Sequence, residues 1–239
     1  MRRFIGAPDP GDPSILLISG SEARHAARVL RLTPGAGAVV ISGGGEYECL
    51  ILDISPSQVR ARIVAALEPR AGRIRITLAQ GMAKGRKMDD VVRIASELGA
   101  GSIIPLFCER ALPDGPAGES ANRLSRWRAI ADSAAKVSGG PPCEIQPPMD
   151  IAALASIPPR DLKLVFWEME KTSLKTILAG LPRPASALIV IGPEGGFSEK
   201  EIGLMRGAGF TAASLGERIL RTQTAGAAAI CAIQYHFGG

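Results

Sequence analysis

The chain has 239 residues, a formal net charge of +5, 46% hydrophobic residues and 21% charged residues, which is typical of an ordinary folded protein of one or two domains. Because no apolar run approaches the ~20 residues of a membrane helix and no signal-peptide core follows Met1, we expect a cytoplasmic protein without a membrane partner. Two histidines and four scattered cysteines argue against a histidine triad or a metal site, and the cysteines are expected to be reduced and buried.

Residues 1–70 show short strand patterns around one helix. Several short strands at regular spacing, separated by glycine and proline turns, favour a small β-barrel. The helix is predicted over Ser21–Leu30. The strands are predicted at Ile15–Ile18, Ala38–Ser42, Glu46–Ile54 and Gln58–Leu67.

Arginines on the predicted helix suggest a surface for a polyanion. Spacings of four and three put Arg24, Arg28 and Arg31 on one helical face, and aligned cations suit a phosphate backbone. A solvated helix surface explains the same pattern about as well. Arg2 and Arg3, near the start of the chain, are added as predicted contacts to the same polyanion. The isoelectric point near 9.3 agrees with such a partner without requiring it.

From residue 71 to 239 strands alternate with helices, which predicts a parallel sheet in an α/β domain. The segment Glu68–Gly72 is the predicted linker before it. Strands are predicted at Arg73–Ala79, Ser102–Phe107, Leu162–Trp167, Ala187–Ile191 and Phe210–Leu215. Helices are predicted from Asp89 to Gly99, over Glu119–Lys136, from a cap at Thr172 to Leu178, from Ser198 to about Gly207, and from a cap at Thr222, with a proline-rich connection over 139–149.

The segment Ala187–Ser198 is the strongest indication of a ligand site. Its uninterrupted apolar run predicts a central strand buried on both faces, and the turn Gly192–Gly196 lets the backbone approach a ligand closely. Ligands of open α/β sheets bind at the carboxyl ends of strands. Ser198 stands three residues before Glu201, which is the spacing of a capping box. A tight turn with glycines for geometry alone is an equally good explanation.

A cationic loop follows the first strand of this half. Lys84, Arg86 and Lys87 stand just beyond the predicted strand, at the edge of the sheet where a phosphate or an RNA backbone would be met. A solvated loop has equal weight. We therefore count these three residues as predicted RNA contacts.

Three turns, each after a strand, carry a resemblance to a known family. The turns are Trp167-Glu168, Gly192–Gly196 and Leu215–Thr222. Together they resemble the deeply knotted α/β methyltransferases of the SPOUT superfamily. Within it the chain resembles the RsmE family, which methylates N3 of a uridine in 16S ribosomal RNA. The segments that carry the closer match are Ile191–Gly196, Leu215–Thr222, Lys84-Gly85, Met88, Glu97–Gly99, Pro105–Phe107, Glu109-Arg110, His25–Arg31 and Pro34-Gly35.

The resemblance implies a PUA-like β-barrel for RNA contact over residues 1–70. Residues 71–239 would form a trefoil-knotted α/β domain with a parallel sheet that binds S-adenosylmethionine and forms a homodimer through the knot. The implied partner is 16S ribosomal RNA or the assembled small ribosomal subunit, with no metal ion. The implied donor-binding residues are Trp167, Glu168, Ile191, Gly192, Pro193, Glu194, Gly195, Gly196, Leu215, Gly216, Ile219, Leu220 and Arg221.

Two of these residues are candidates for the chemistry. Methyl transfer to uracil N3 needs the N3 proton to leave, and Arg221 would stabilise the anion as a fixed cation. A phosphate anchor or a dimer ion pair is the alternative for Arg221. Glu194 would act as general base if burial raises its pKa, although hydrogen bonds to the following helix explain it at least as well. Glu168 is a third carboxylate near the donor.

The sequence also departs from the family pattern. Gln223 stands where members commonly have glutamate, and Lys136–Gly140 replaces a charged helix end. These changes leave two other functions open. One is a knotted methyltransferase that acts on another RNA site, such as a ribose 2′-oxygen. The other is a ribosome-assembly or RNA-binding protein without catalysis.

Overall fold

The computed structural model describes residues 2–43, 45–67, 74–111, 117–158 and 160–238. By their internal contacts the residues divide into two units, Met1–Ala71 and Gly72–Gly239. The linker predicted at Glu68–Gly72 lies outside the described residues. None of the helices in the described part of the chain is long and apolar enough to cross a membrane.

The N-terminal unit is a six-stranded mixed sheet with one short helix. Its strand order is β1-β4-β5-β6-β3-β2, with β1 and β4 parallel and the other neighbours antiparallel. One face of the sheet packs a core around Phe4, Leu16, Ile18 and Ile51. The elements are β1 (Arg2–Ile5), β2 (Ala7–Asp9), β3 (Asp12–Ser19), α1 (Gly20–Arg24) with a π-helical turn over His25–Val29, β4 (Gly37–Ser42), β5 (Gly45–Ile54) and β6 (Gln58–Leu67).

Two features of this unit differ from the prediction. The strands β1 and β2 were missed, and they form the two ends of the strand order, so closure into a barrel stays a prediction. The prediction that Arg31 shares the helical face of Arg24 and Arg28 is wrong. The helix ends in wide turns, with the Leu32 amide donating to the Ala26 carbonyl, and Arg31 lies beyond it with a φ of 49°.

The C-terminal unit is an α/β fold around a parallel sheet, as predicted. The sheet order is β10-β8-β7-β12-β11-β13, with β9 also paired to β8, and every pairing is parallel. The strands are β7 (Arg75–Gly81), β8 (Ser102–Phe107), β9 (Glu144–Ile145), β10 (Met149–Asp150), β11 (Leu162–Phe166), β12 (Ser186–Ile191) and β13 (Thr211–Ala213). The helices are α2 (Lys87–Glu97), α3 (Ala117–Ser138), α4 (Ile151–Ala155), α5 (Leu174–Leu178), α6 (Glu199–Gly207) and α7 (Thr222–His236).

The strand β12 is central, as its sequence predicts. It lies between β7 and β11, and all six of its residues are buried. Successive side chains enter different cores, since Ile189 packs with residues of α2, α3 and α7, whereas Val190 packs with residues of α4 and α6. Helices on both faces of the sheet therefore explain why the strand is apolar throughout.

Several predicted boundaries are wrong. The connection over 139–149 contains β9 and part of β10, and the short helix α4 follows it unpredicted. Helix α2 begins at Lys87, two residues before the predicted Asp89. The cap of α5 is Ser173 rather than Thr172, because Ser173 is extended and its side chain accepts from the Thr176 amide. The N-cap of α7 is Arg221, so Thr222 is inside the helix and does not cap it.

Candidate functional site

A cavity of about 610 Å³ lies at the carboxyl ends of β11, β12 and β13, a size that suits a small organic ligand. All the residues predicted to hold the donor line this cavity. Its walls are formed by Phe166–Glu168, Ile191–Gly196 and Ala213–Gln223, together with Lys87 and Ala225. Most of the lining residues missed by sequence reasoning lie within two positions of predicted ones. The exceptions are Ala225, one helical turn beyond Arg221, and Lys87, which reaches the cavity from another loop.

The turn Gly192–Gly196 is closely packed on its outer side. A side chain at Gly81 would collide with the backbone nitrogen and ring of Pro193, and a Cβ at Gly195 would lie 2.8 Å from the Arg110 carbonyl oxygen. Gly196 has a φ of 68°, and a Cβ there would meet the carboxylate of Glu168. Close approach and a left-handed backbone therefore require glycine here.

A capping box fixes the chain directly after this turn. The Glu201 amide donates to Ser198 Oγ over 3.3 Å, and the Ser198 amide donates to Glu201 Oε2 over 2.8 Å, which confirms the predicted pairing. The same two residues also bind Glu109, since its amide donates to Glu201 Oε1 over 2.8 Å and its carboxylate accepts from Ser198 Oγ over 2.7 Å. The loop after β8 is thereby attached to the start of α6.

A buried hydrogen-bond chain joins the turn to the last helix. Thr222 Oγ1 donates to the Gly192 carbonyl over 2.5 Å and accepts from Gln80 Nε2 over 2.7 Å. Gln80 is fully buried at the end of β7. The hydroxyl that sequence reasoning assigned to a helix cap therefore connects three distant segments, two of which line the cavity.

Glu194 is paired with the cationic loop. Its Oε1 accepts from Lys87 Nζ over 2.7 Å and from the Lys84 amide over 3.2 Å. Partial burial raises the pKa of Glu194, but the bonds from Lys87 and Lys84 outweigh it, so its pKa is lower than its ordinary value. The raised pKa on which the general-base hypothesis depends is therefore not found. The predicted bonds to the following helix are made by Ser198 and Glu201 instead.

Arg221 lies in the cavity wall formed by residues 216–221, most of which are exposed and which we call the open side. Its side chain is exposed, and its backbone forms the N-cap of α7. In the same segment Gly216 has a φ of 123°, and Ile219 is 84% exposed. This wall therefore offers the cavity a cation, a helix N-terminus and an uncovered apolar side chain.

The predicted RNA contacts fall in both units. In the N-terminal unit Arg2, Arg24, Arg28 and Arg31 are exposed, whereas Arg3 pairs with Glu46 over 2.7 Å. In the C-terminal unit Lys84 and Arg86 are exposed beside the cavity, and Lys87 lines it. Apart from Arg3 and Lys87, these predicted RNA contacts have no ion-pair partner among the described residues. The role of all eight in RNA binding stays a prediction.

The described residues contain no group of three or more histidine, cysteine, aspartate or glutamate side chains arranged to hold a metal ion. Burial raises the pKa of Cys49 to about 11 and those of Cys108 and Cys143 to about 12, which makes these thiols unreactive. Cys231 is exposed on α7, so the prediction that all four cysteines are buried is wrong for this one.

Both units match family models. Residues 70–234 match an RNA methyltransferase domain, and residues 18–64 match an RNA methyltransferase PUA domain. The chain is 31% identical over 229 residues to ribosomal RNA small subunit methyltransferase E of Bacillus subtilis, covering 91% of this chain and 89% of that protein.

Solved structures agree with these matches. A ribosomal RNA small subunit methyltransferase E from Neisseria gonorrhoeae bound to S-adenosylmethionine superimposes with a TM-score of 0.82 at 29% identity, over 98% of this chain and 97% of that one. A methyltransferase from Legionella pneumophila in complex with the same cofactor gives a TM-score of 0.81 at 30% identity, over 98% of each chain.

Proposed function

The chain belongs to the RNA methyltransferase family that includes ribosomal RNA small subunit methyltransferase E, and we propose that it methylates N3 of a uridine in 16S ribosomal RNA with S-adenosylmethionine as the donor. The observation that carries this proposal is the cavity formed by three turns at the carboxyl ends of β11, β12 and β13. Relatives with similar chains and folds are named for this kind of activity or bind this donor.

The residues around the cavity fit such a donor. The glycine turn Gly192–Gly196 exposes backbone groups that can bind an adenine edge, and Leu215, Ile219 and Leu220 supply apolar contacts for its ring. A side chain at Gly196 would press on the Glu168 carboxylate and fill part of this space. When bound, the donor supplies an electrophilic methyl group.

Arg221 would stabilise the uracil anion from the open side of the cavity. The N3 proton must pass to solvent at the open side of the cavity before the nitrogen can accept a methyl group, and the negative charge then spreads onto the ring oxygens. A guanidinium beside them lowers the energy of that anion, and the N-terminus of the 15-residue helix α7 adds its positive end. Glu194 is already engaged by Lys87, so its role in this proposal is not that of the base.

In this proposal the N-terminal unit contributes to RNA binding, and the C-terminal unit binds the donor and transfers the methyl group. The N-terminal unit, over residues 1–70, would bind RNA through Arg2, Arg24, Arg28 and Arg31. The C-terminal unit would be knotted, as the resemblance to the SPOUT methyltransferases implies. Exposed Ile219 and Tyr235, at 84% and 90%, support a homodimer through this unit. The protein would act in the cytoplasm, where ribosomes are assembled.

A methylation assay with two arginine variants tests the proposal. Small subunits lacking the modification are incubated with labelled S-adenosylmethionine, and the nucleosides are identified by mass spectrometry. We expect N3-methyluridine, and we expect Arg221→Met to lower kcat by about 10²–10³-fold because it removes the cation beside the developing charge. Arg218→Met, at an exposed arginine that lines the same cavity, is the matched control and should change kcat little.

Other products would replace the proposal with one of its alternatives. Ribose 2′-O-methylation would indicate a knotted methyltransferase of different specificity. Donor binding without any methylated nucleoside would indicate an RNA-binding relative that has lost catalysis.

A further inference from the structure

One carboxylate connects the turn of the donor cavity to the loop that carries the predicted RNA cations. Glu194 belongs to the turn, and its Oε1 receives both the Lys84 amide, over 3.2 Å, and Lys87 Nζ, over 2.7 Å. We infer that Glu194 is a positioning residue that holds this cationic loop, Lys84–Lys87, ready for an RNA backbone. This inference rests on the proposed function, because it assigns a role within RNA binding.

The loop is fixed at its base by other contacts. The Met82 amide donates to the Leu106 carbonyl over 2.9 Å, and Gly81 lies against Pro193 so closely that a Cβ would collide. The end of the loop is different, since Lys84, Gly85 and Arg86 are all exposed. Among the described residues, the side-chain contact that ties this exposed end to the rest of the unit is the one to Glu194.

Charge explains why the loop needs such a contact. Lys84, Arg86 and Lys87 lie within four residues of each other, and their mutual repulsion opposes a single compact arrangement. A carboxylate bound to the Lys87 ammonium group and to the Lys84 backbone amide offsets that repulsion before RNA arrives. The loop then loses less conformational entropy when RNA binds, which strengthens binding. The Lys87 side chain keeps 42% of its surface exposed, so its ammonium group can still meet a phosphate.

The direction in which RNA affinity changes distinguishes positioning of the loop by Glu194 from simple repulsion between Glu194 and the phosphates. Removing a negative charge next to a polyanion site should strengthen RNA binding if Glu194 only repels the phosphates. If Glu194 positions the loop, its removal should weaken binding instead. An exposed ion pair is weak, so we expect a loss of about threefold to fivefold.

The experiment measures RNA and donor binding separately in the full-length protein. RNA binding is followed by fluorescence anisotropy with a labelled fragment of small-subunit RNA, and S-adenosylmethionine binding by calorimetry. We expect Glu194→Gln to weaken RNA binding by a larger factor than it weakens donor binding. Glu217→Gln is the matched control, since it removes the same charge from the edge of the same cavity, and it should leave RNA binding unchanged or stronger.

A double-mutant cycle adds a second criterion. Lys87→Met should weaken RNA binding more than Glu194→Gln, and the loss in the double variant should be smaller than the sum of the two single losses, because the two residues share one contact. Tighter or unchanged RNA binding by Glu194→Gln, or strictly additive losses, would overturn the inference. A wild-type protein that does not bind the RNA at all would instead refute the proposed function.

Discussion

The two walls of the cavity are built in opposite ways. The turn Gly192–Gly196 is packed against Gly81 and Arg110, hydrogen-bonded to Thr222 and followed by a capping box. The segment 216–221 faces it across the same cavity, and its side chains are exposed or half-buried. A Cβ built on Gly216 has no neighbour within 4 Å, whereas one on Gly196 meets the carboxylate of Glu168.

The difference indicates a division of roles between a fixed wall and an open wall. The fixed wall takes its shape from packing on neighbouring strands, so it is in place before any ligand binds. The open wall carries Arg221 and Ile219, whose side chains have few contacts of their own and are available to substrates or to a second subunit. We therefore expect substitutions that disturb the packing of the fixed wall to act through folding, and those in the open wall to act through binding or turnover.

The largest effect on stability is expected from Gly81→Ala. The new methyl group would overlap the Pro193 backbone nitrogen and ring, and backbone atoms cannot move aside easily. We expect a loss of roughly 2–3 kcal/mol in the free energy of unfolding, measured by denaturant titration, together with weaker donor binding. Gly203→Ala is the control, because that site in α6 is open and helical, and it should be neutral or slightly stabilising. Equal stability of the two variants would contradict a rigid fixed wall.

A smaller loss is expected from Thr222→Val, which keeps the shape of the side chain but removes its hydroxyl. The Gly192 carbonyl then loses its bond from Thr222, and the buried Gln80 amide keeps only its longer bond to the Gly81 carbonyl, at 3.2 Å. Losing these two hydrogen bonds should cost about 1–2 kcal/mol of unfolding free energy. Thr224→Val, in the same turn of α7 but exposed, should cost much less. Similar losses for both would show that Thr222 stabilises only the helix.

The smallest effect on stability is expected from Ile219→Ser in the open wall. Because Ile219 is 84% exposed, its replacement should change the unfolding free energy by less than about 0.5 kcal/mol. Donor affinity, measured by calorimetry, should fall by about threefold to tenfold, since an apolar contact to the bound ligand is lost. Val137→Ser, at a position 80% exposed on α3, should change neither quantity. Unaltered donor affinity in Ile219→Ser would remove this residue from the site.

Local patterns predicted much of the C-terminal unit. The branched apolar residues of β12 predicted a central strand, and the spacing of Ser198 and Glu201 predicted the capping box. Both depend on neighbours within a few positions. Thr172 and Ser173 are equivalent as helix caps by residue type, so their backbone conformation had to decide between them.

The features that the sequence did not predict depend on contacts between residues that are far apart in the chain. Thr222 has the residue type and position of a helix cap, and its true partners, Gly192 and Gln80, lie 30 and 142 positions away. Glu194 meets a lysine 107 positions away, so its lowered pKa was not predictable from local sequence. The ion pair of Arg3 was not predictable for the same reason, because its partner Glu46 is 43 positions distant.

The two hydrogen bonds that join Gln80, Thr222 and Gly192 also affect how the protein can fold during its synthesis. Gly192 in the cavity wall is bonded to Thr222 of α7, and Thr222 is bonded to Gln80 of β7, so this part of the wall cannot be complete until the chain has been made beyond Thr222. A nascent chain that has emerged only as far as β13 would therefore have its strands without an assembled cavity. Removing α7 would take away the side of the cavity formed by Thr222 and Ala225 while leaving the strands of the sheet.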